Sequence, residues 1–308
     1  MGSLRIGPLG LASILFFAGQ FATSEIRLPG ELRFPTEVRL STEVRAPQTA
    51  QPPTASKSLF AQSAVQVLDR DFRDNNISYL LFDAQTEALL SSRWADASRP
   101  IPLGSLVKPF TALAYAEAHG FRYPTHICEG EASGCWQVHP HGELDIVSAI
   151  AVSCNSYFRA LTASLKGDQL LPTTSTFGLE PPGASLTGPS LMGLGDEWKI
   201  SPLHMAHAYL ELYRRRDQSG VRELLSGMAQ SAQRGTGAGV NRALKHTKAL
   251  VKTGTASCTH EHTAPADGFV VALLPADRPE ILLMIRVHGV AGAKAAVTTG
   301  RMLSRMEE

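Results

Sequence analysis

The sequence has almost no surplus of charge of either sign. Its 308 residues include 29 Lys and Arg against 28 Asp and Glu, which gives a formal net charge of +1. Nucleic-acid-binding domains carry a basic surplus that neutralises phosphates, and disordered chains combine high net charge with few apolar residues. The composition therefore argues against both classes. With 44% hydrophobic residues, the chain can fill a sizeable core.

The chain also lacks an uninterrupted apolar run of the roughly 20 residues that a membrane-spanning helix needs. The uncharged segment 6–22 is shorter, contains Gly7, Pro8 and Gly10, follows the basic Arg5, and ends in small residues. This pattern is typical of an export signal. We expect residues 1–23 to be a cleaved signal peptide, with a retained membrane anchor as the alternative. The protein is then exported, to the periplasm or the outer face of the cytoplasmic membrane.

Residues 24–56 lack the periodicity of a helix or a regular sheet. Glu25, Glu31, Glu37 and Glu43 recur every six residues, each followed by an aliphatic residue and Arg, and prolines interrupt the segment. Proline removes backbone donors from a strand, and six is not a helical period. We interpret the segment as an extended spacer that continues into a Pro-rich linker. The alternative is a docking strand for a partner in cell-wall assembly.

Cysteines are few. Cys128 and Cys135 are close enough in sequence to form a disulfide in an exported protein, or else they are buried reduced thiols. Cys154 and Cys258 lie within or just after the motifs described below. Spacing alone leaves the pairing open.

Histidine pairs occur twice, at His139 with His141 and at His260 with His262. Neither pair is accompanied in the sequence by an obvious cluster of carboxylates or cysteines with metal-ligand spacing. We interpret them as loop histidines and expect neither a metal nor a cofactor.

The third segment, residues 57–308, has the pattern of a globular domain. Helical spacing covers 59–72, two strand-like runs follow around a turn at 84–86, and a helix over 105–119 ends before Gly120. Three further strand-like runs near the C-terminus precede a closing helix over 291–306. The pattern predicts an α/β fold of the α+β type, in which helices flank an antiparallel sheet.

The start of the helix over 105–119 carries a candidate nucleophile and base. Ser105 and Lys108 are three residues apart, so their side chains face the same way on a helix. A serine hydroxyl is a weak nucleophile at neutral pH, whereas a desolvated lysine can lose its proton and become the base that activates it. A Ser-x-x-Lys sequence is common by chance, so it is informative only together with other motifs.

Two further motifs follow in order: Ser153-Cys154-Asn155 and Lys252-Thr253-Gly254-Thr255. With them, the chain over about 57–303 resembles the transpeptidase domain of penicillin-binding proteins. Further strings support the resemblance: GSLVKPF, the Cys128 to Cys135-Trp136 segment with a later His141-Gly142, SCNSYF, GLGDEWKISPLHMAHAYLEL, GMAQSAQRGTG and KTGTAS. The resemblance implies a five-stranded antiparallel sheet, an all-helical lobe, and an active site between them.

The resemblance also implies the roles of the first two motifs. Ser105 would attack the carbonyl of a terminal D-alanyl-D-alanine or of a β-lactam ring, with Lys108 as base, giving an acyl-enzyme. Ser153 would relay protons to the leaving amine, and Asn155 would hold Lys108 or the substrate amide.

The third motif would bind the substrate. Lys252 would supply positive charge, and Thr253 and Thr255 would supply hydroxyls, for the substrate's terminal carboxylate, while Gly254 would let the ligand approach the strand closely. The backbone N–H groups of Ser105 and Thr255 would form the oxyanion hole.

The leading interpretation is an exported D,D-transpeptidase or D,D-carboxypeptidase that acts on peptidoglycan stem peptides and is inhibited by β-lactams. One alternative is a lysine-based serine β-lactamase, although we see no glutamate suited to be a dedicated deacylation base. The other is a sensor of β-lactams or muropeptides that does not turn over. Only the N-terminal segment and the linker precede the domain, so we expect no glycan-polymerising domain.

Overall fold

The computed structural model describes residues 59–258 and 264–308. The predicted export signal, the hexapeptide spacer with its linker, and the pair His260 and His262 lie outside these residues. Within the described ranges, no helix combines the length and the apolar character that crossing a membrane requires. The described residues all fall in one compact unit.

The central element is a five-stranded antiparallel sheet, which confirms the predicted fold class. The spatial order is β2-β1-β9-β8-β7, so β7 is an edge strand. The strands of this sheet are β1 (Ile77–Asp83), β2 (Leu89–Arg93), β7 (Leu250–Ala256), β8 (Asp267–Leu274) and β9 (Ile281–His288). Two two-stranded sheets pair β3 (Ile101–Pro102) with β6 (Lys199–Ile200), and β4 (His126–Cys128) with β5 (Gly142–Leu144).

The described residues contain helices at the three predicted places, 59–72, 105–119 and 291–306, and six further helices. They are α1 (Leu59–Asp71), α2 (Lys108–Ala118), α3 (Ile146–Ala151), α4 (Asn155–Thr162), α5 (Leu171–Thr176), α6 (Pro202–Arg214), α7 (Val221–Arg234), α8 (Ala238–Ala243) and α9 (Gly292–Met306). Short 3₁₀ turns cover Gly104–Val107, Gly130–Ser133, Gly167–Leu170 and Gly188–Met192. The predicted helix over 105–119 is thus a 3₁₀ turn that continues into α2.

The sheet is covered on both faces. Strands β8 and β9 are buried almost throughout. Neighbouring residues on a strand, such as Val270 and Val271, belong to different apolar clusters on the two faces of the sheet. One cluster packs the sheet against α1 and α9, and the other joins it to the lobe formed by the chain between β2 and β7. This double burial explains why β8 and β9 are continuous apolar runs and do not alternate with polar residues. The lobe is helical, with the short β4–β5 pair added.

Two close backbone approaches attach the start of α2 to the edge strand. Gly104 has φ +57°, and a Cβ built on it would lie 2.1 Å from the carbonyl oxygen of Thr255. A Cβ on Gly254 would lie 2.4 Å from the carbonyl oxygen of Leu103. Only glycine permits this contact, so the residue after Gly104, Ser105, is held beside the middle of β7.

Candidate active site

A cavity of about 360 Å³ lies where β7 faces the helical lobe. The predicted site residues that line it are Ser105, Ser153, Asn155, Thr253, Gly254 and Thr255. Trp136, Leu194, Thr236, Ala291 and Ala293 complete its wall. The structure therefore brings all three sequence motifs to one place, although they are separated widely along the chain.

Lys108 is completely buried behind this cavity. Its Nζ donates to the carbonyl oxygen of Ser153 at 2.9 Å and to Oδ1 of Asn155 at 2.7 Å, and it lies 5.1 Å from the centre of the Phe158 ring. Burial lowers the pKa of Lys108 to about 7, because an ammonium ion loses its hydration there. At neutral pH a substantial fraction of this lysine is the neutral amine, which can accept a proton.

Lys252 is also completely buried, and its Nζ donates to Oγ of Ser153 at 2.9 Å and to the carbonyl oxygen of Thr253 at 2.7 Å. Burial, with repulsion from Lys108, holds the pKa of Lys252 well below its usual range. The amine does not line the cavity. The hydroxyl of Ser153, which does line the cavity, connects this amine to the cavity wall.

Ser153 links the two lysines and has an unusual backbone. Its carbonyl oxygen accepts from Lys108 while its hydroxyl oxygen accepts from Lys252. Its φ is +52°, in the left-handed region that non-glycine residues seldom adopt. Such strain persists only where surrounding contacts enforce it, and it is common at functional sites. The turn between α3 and α4 therefore presents the Ser153 hydroxyl and the Asn155 amide together.

The wall formed by β7 carries hydroxyl groups. Thr253 Oγ1 lies 2.6 Å from Oγ1 of Thr236, and Thr255 Oγ1 accepts from the backbone N–H of Gly292 at 2.9 Å. Thr253 is buried and Thr255 is exposed. Thr236 was missed as a site residue by the sequence analysis, although it lies within the RGTG string.

Trp136, a second residue that the sequence analysis did not assign to the site, forms the opposite lip of the cavity. Its side chain is 51% exposed, and its indole N–H donates to the carbonyl oxygen of Val152 at 3.3 Å. Exposed indoles at a cleft often contact ligands, because the ring is large and flat. The sequence signal for this position is the Cys128 to Cys135-Trp136 segment of the family resemblance, which does not by itself indicate a place at the cavity.

None of the described residues that line the cavity is a carboxylic acid or a histidine. The described part of the site therefore contains two lysines and several hydroxyls as its proton-transfer groups, and no carboxylate base.

Three of the four cysteines lie together in the structure, near His141. Cys128, Cys135 and Cys154 are buried reduced thiols, so the Cys128–Cys135 disulfide is not present. His141 approaches the same cluster, which the sequence analysis had treated as separate residues.

A sheet-and-lobe fold with Ser-x-x-Lys, Ser-x-Asn and Lys-Thr-Gly residues around one cavity defines the class of penicillin-recognising domains. The family model described as "Penicillin binding protein transpeptidase domain" matches residues 70–303, and the chain belongs to this family.

Solved structures agree with this assignment at the level of the fold. Penicillin-binding protein 2 of Pseudomonas aeruginosa superposes with a TM-score of 0.62 and 16% identity, over 80% of this chain and 73% of that one. Penicillin-binding protein 2 of Helicobacter pylori, solved in complex with MreC, gives a TM-score of 0.62 and 17% identity, over 80% of this chain and 62% of that one.

The transpeptidase domain of Burkholderia pseudomallei penicillin-binding protein 3 gives a TM-score of 0.58 and 17% identity, over 80% of this chain and 91% of that one. This chain thus spans less than two thirds of the H. pylori chain but most of the isolated domain. No curated protein sequence matches the chain.

Proposed function

We propose that this protein is an exported D,D-transpeptidase that acts on the D-Ala-D-Ala ends of peptidoglycan stem peptides through an acyl-enzyme at Ser105. The observation that carries the proposal is the buried Lys108, whose pKa is lowered to about 7 and which is one helical turn from a serine at the cavity. A base with a pKa near the working pH gives the most effective proton transfer.

In the first step the Ser105 hydroxyl attacks the carbonyl carbon of the penultimate D-alanine, and its proton passes to the neutral amine of Lys108. The resulting oxyanion is stabilised by backbone N–H groups of Ser105 and Thr255, each worth roughly 3 kcal/mol in such sites. The close approach of Gly104 to the Thr255 backbone supports this assignment, because it brings Ser105 next to Thr255 at the cavity.

In the second step the tetrahedral intermediate collapses and the terminal D-alanine leaves as an amine that must gain a proton. Ser153 passes its hydroxyl proton to this amine and regains one from Lys108, which took it from Ser105 in the first step. The Ser153 hydroxyl oxygen also accepts a hydrogen bond from Lys252. Asn155 holds Lys108 in place through Oδ1. An acceptor amine then attacks the acyl-enzyme, and its proton passes through Ser153 to Lys108. Ser105 regains a proton from Lys108 as its bond to the acyl group breaks and the new amide forms.

The substrate's terminal carboxylate is bound by the hydroxyls of Thr236, Thr253 and Thr255. The peptide lies along the open edge of β7, where Gly254 leaves room for its backbone. A β-lactam enters the same cavity and acylates Ser105 because it presents a strained amide and a carboxylate in similar positions. A partner in peptidoglycan assembly and membrane association through the N-terminal segment belong to the same proposal.

The transpeptidase and the lysine-based β-lactamase differ in how fast water removes the acyl group from Ser105, and the labelling experiment below measures that rate. An acyl-enzyme that reacts slowly with water survives until an amine arrives.

The test is labelling of the full chain with a fluorescent penicillin, followed by a chase with unlabelled drug. Ser105→Ala should abolish labelling, while Ser98→Ala, which changes an exposed serine outside the cavity, should leave it intact. Label that persists through the chase is the expected result. Rapid loss of label with penicillin hydrolysis would replace the proposal with the β-lactamase, and labelling that survives Ser105→Ala would overturn it.

The transfer reaction is tested with a stem pentapeptide and a free amine acceptor. The expected products are D-alanine and the peptide joined to the amine. Release of D-alanine to water without transfer to the amine would assign the D,D-carboxypeptidase reaction instead.

A further inference from the structure

Four metal-ligating side chains meet beside the cavity, outside the catalytic groups. They are Cys128 at the end of β4, Cys135 after the following 3₁₀ turn, His141 just before β5, and Cys154 at the start of α4. One ligand atom of each lies within 4.8 Å of all the others. The three thiols are buried and the imidazole is half-buried.

The spacing of these atoms matches a tetrahedral zinc site. Cys135 Sγ lies 3.8 Å from Cys154 Sγ, and His141 Nδ1 lies 3.4 Å from Cys128 Sγ and 3.6 Å from Cys135 Sγ. Zn–S bonds of about 2.3 Å and Zn–N bonds of about 2.0 Å at tetrahedral angles place sulfurs about 3.8 Å apart and sulfur about 3.5 Å from nitrogen. A disulfide would need sulfurs about 2.0 Å apart.

The surroundings suit thiolate ligands. Backbone N–H groups of Gly130 and His141 are directed at Cys128 Sγ, and the N–H of Tyr157 donates to Cys154 Sγ at 3.5 Å. Such second-shell donors stabilise the negative charge of a metal-bound sulfur. Three sulfurs and one imidazole favour Zn²⁺ over Mg²⁺ or Ca²⁺, which prefer oxygen.

We propose that Cys128, Cys135, His141 and Cys154 bind one zinc ion that fixes the turn carrying Ser153 and Asn155. The four protein ligands complete a tetrahedron and leave no open position, so the metal is structural and takes no part in the chemistry. Binding deprotonates the thiols, and the protons pass to solvent.

The zinc ion acts on the catalytic turn through Cys154, which lies between Ser153 and Asn155. A ligand at this point holds the turn against the segment 128–141 and sustains the left-handed backbone of Ser153. The same segment carries Trp136, the residue after Cys135, whose indole N–H bonds to Val152 just before the turn. This positioning role rests on the proposed function, whereas zinc binding itself does not.

Metal analysis of the purified full chain, kept reduced and dialysed against zinc, tests the binding. We expect about one zinc per chain, falling at least about tenfold in Cys128→Ser and in His141→Ala. His141→Cys should retain zinc as a four-cysteine site. Cys258→Ser is the matched control, since Cys258 lies in a separate cluster with Asp267 and His288.

Cobalt substitution gives an independent spectroscopic readout. A thiolate-to-cobalt charge-transfer band that persists in Cys258→Ser and disappears in Cys128→Ser supports the site. The proposed zinc site is overturned if the wild-type protein binds no zinc, or if Cys258→Ser loses zinc while Cys128→Ser and His141→Ala retain it.

The positioning role is tested by the rate of penicillin labelling with and without zinc. Removal of zinc from the wild-type chain by a chelator should slow labelling at least about tenfold, and added zinc should restore it. Unchanged labelling of zinc-free protein would overturn the positioning role. If zinc-loaded wild-type protein is not labelled at Ser105 at all, the proposed function fails. The measured zinc content would still show whether the four residues bind zinc.

Discussion

The two walls of the cavity are held in place by different kinds of interaction. The wall formed by β7 is fixed by backbone pairing to β8 and by glycines that let the start of α2 touch the strand. The opposite wall, the turn between α3 and α4, has a strained backbone at Ser153 and is held by the side chains of Lys108 and Lys252. We therefore expect substitutions that add bulk to damage the wall formed by β7, and substitutions that remove a polar or charged group to damage the turn between α3 and α4.

The largest effect is expected at the first wall, from Gly104→Ala. The new methyl group would lie 2.1 Å from the carbonyl oxygen of Thr255, so the strand or the turn must move. Gly120→Ala is the matched control, because Gly120 also has a positive φ, +62°, but has no atom within 4 Å of the added Cβ.

We expect urea unfolding to show a loss of about 1 kcal/mol for Gly120→Ala and about 3 kcal/mol more for Gly104→Ala. Gly104→Ala should also lose penicillin labelling. Equal destabilisation by the two variants would mean that the contact with β7 does not constrain the wall.

At the second wall, Lys108→Met should lower the acylation rate about 10³-fold, because it removes the base while filling the same buried space. The fold should survive, since no charge is left buried without a partner. Lys245→Met changes an exposed lysine and should have no effect on labelling. A decrease of less than about tenfold, in a variant shown to be folded by circular dichroism, would contradict the role of Lys108.

The rate of acylation should depend on pH through Lys108. Its pKa is lowered to about 7, so the amine is protonated below that pH and cannot accept the Ser105 proton. Labelling should rise about tenfold per pH unit below the pKa and level off above it. Stopped-time labelling between about pH 5.5 and 9 measures this profile, and a plateau reached only near the ordinary lysine pKa of about 10.4 would disagree with it.

A smaller effect should separate backbone strain from chemistry at Ser153. Ser153→Gly and Ser153→Ala both remove the hydroxyl, but only glycine relieves the left-handed conformation. We expect Ser153→Gly to be more stable than Ser153→Ala by about 1–2 kcal/mol in urea unfolding, with both equally slow in labelling. Equal stability would show that the turn relaxes when the hydroxyl is lost.

The smallest effect is expected for Thr236→Val. This change keeps the shape but removes the hydroxyl that lies 2.6 Å from Thr253 Oγ1. The loss of one hydrogen bond of about 1 kcal/mol should reduce the labelling rate about fivefold. An unchanged rate would place the substrate carboxylate closer to Thr255.

Much of the fold was predictable because β8 and β9 are long apolar runs and because α2 ends before a glycine. The 3₁₀ turn at Gly104–Val107 was not predictable, since its geometry depends on the contact with β7. The β4–β5 pair was missed as well, because three-residue strands are too short for an alternating pattern.

The candidate site was predictable to the extent that its residues occur in short motifs. Ser105, Ser153 and Asn155 line one cavity as the motifs indicate. The hydrogen bond from Lys252 to the Ser153 hydroxyl depends on packing between β7 and the turn before α4, which no local sequence pattern encodes. The cysteine and histidine cluster was missed because its members come from separate elements with no familiar metal-ligand spacing.

The exposure of Trp136 gives this protein an internal optical reporter. Of its three tryptophans, Trp94 and Trp198 are buried, while Trp136 is half exposed and forms the lip of the cavity. Emission from water-exposed indole lies at longer wavelength than emission from buried indole. An unlabelled ligand entering the cavity should therefore shift the long-wavelength part of the intrinsic fluorescence, and this signal allows occupancy to be followed in real time without a dye.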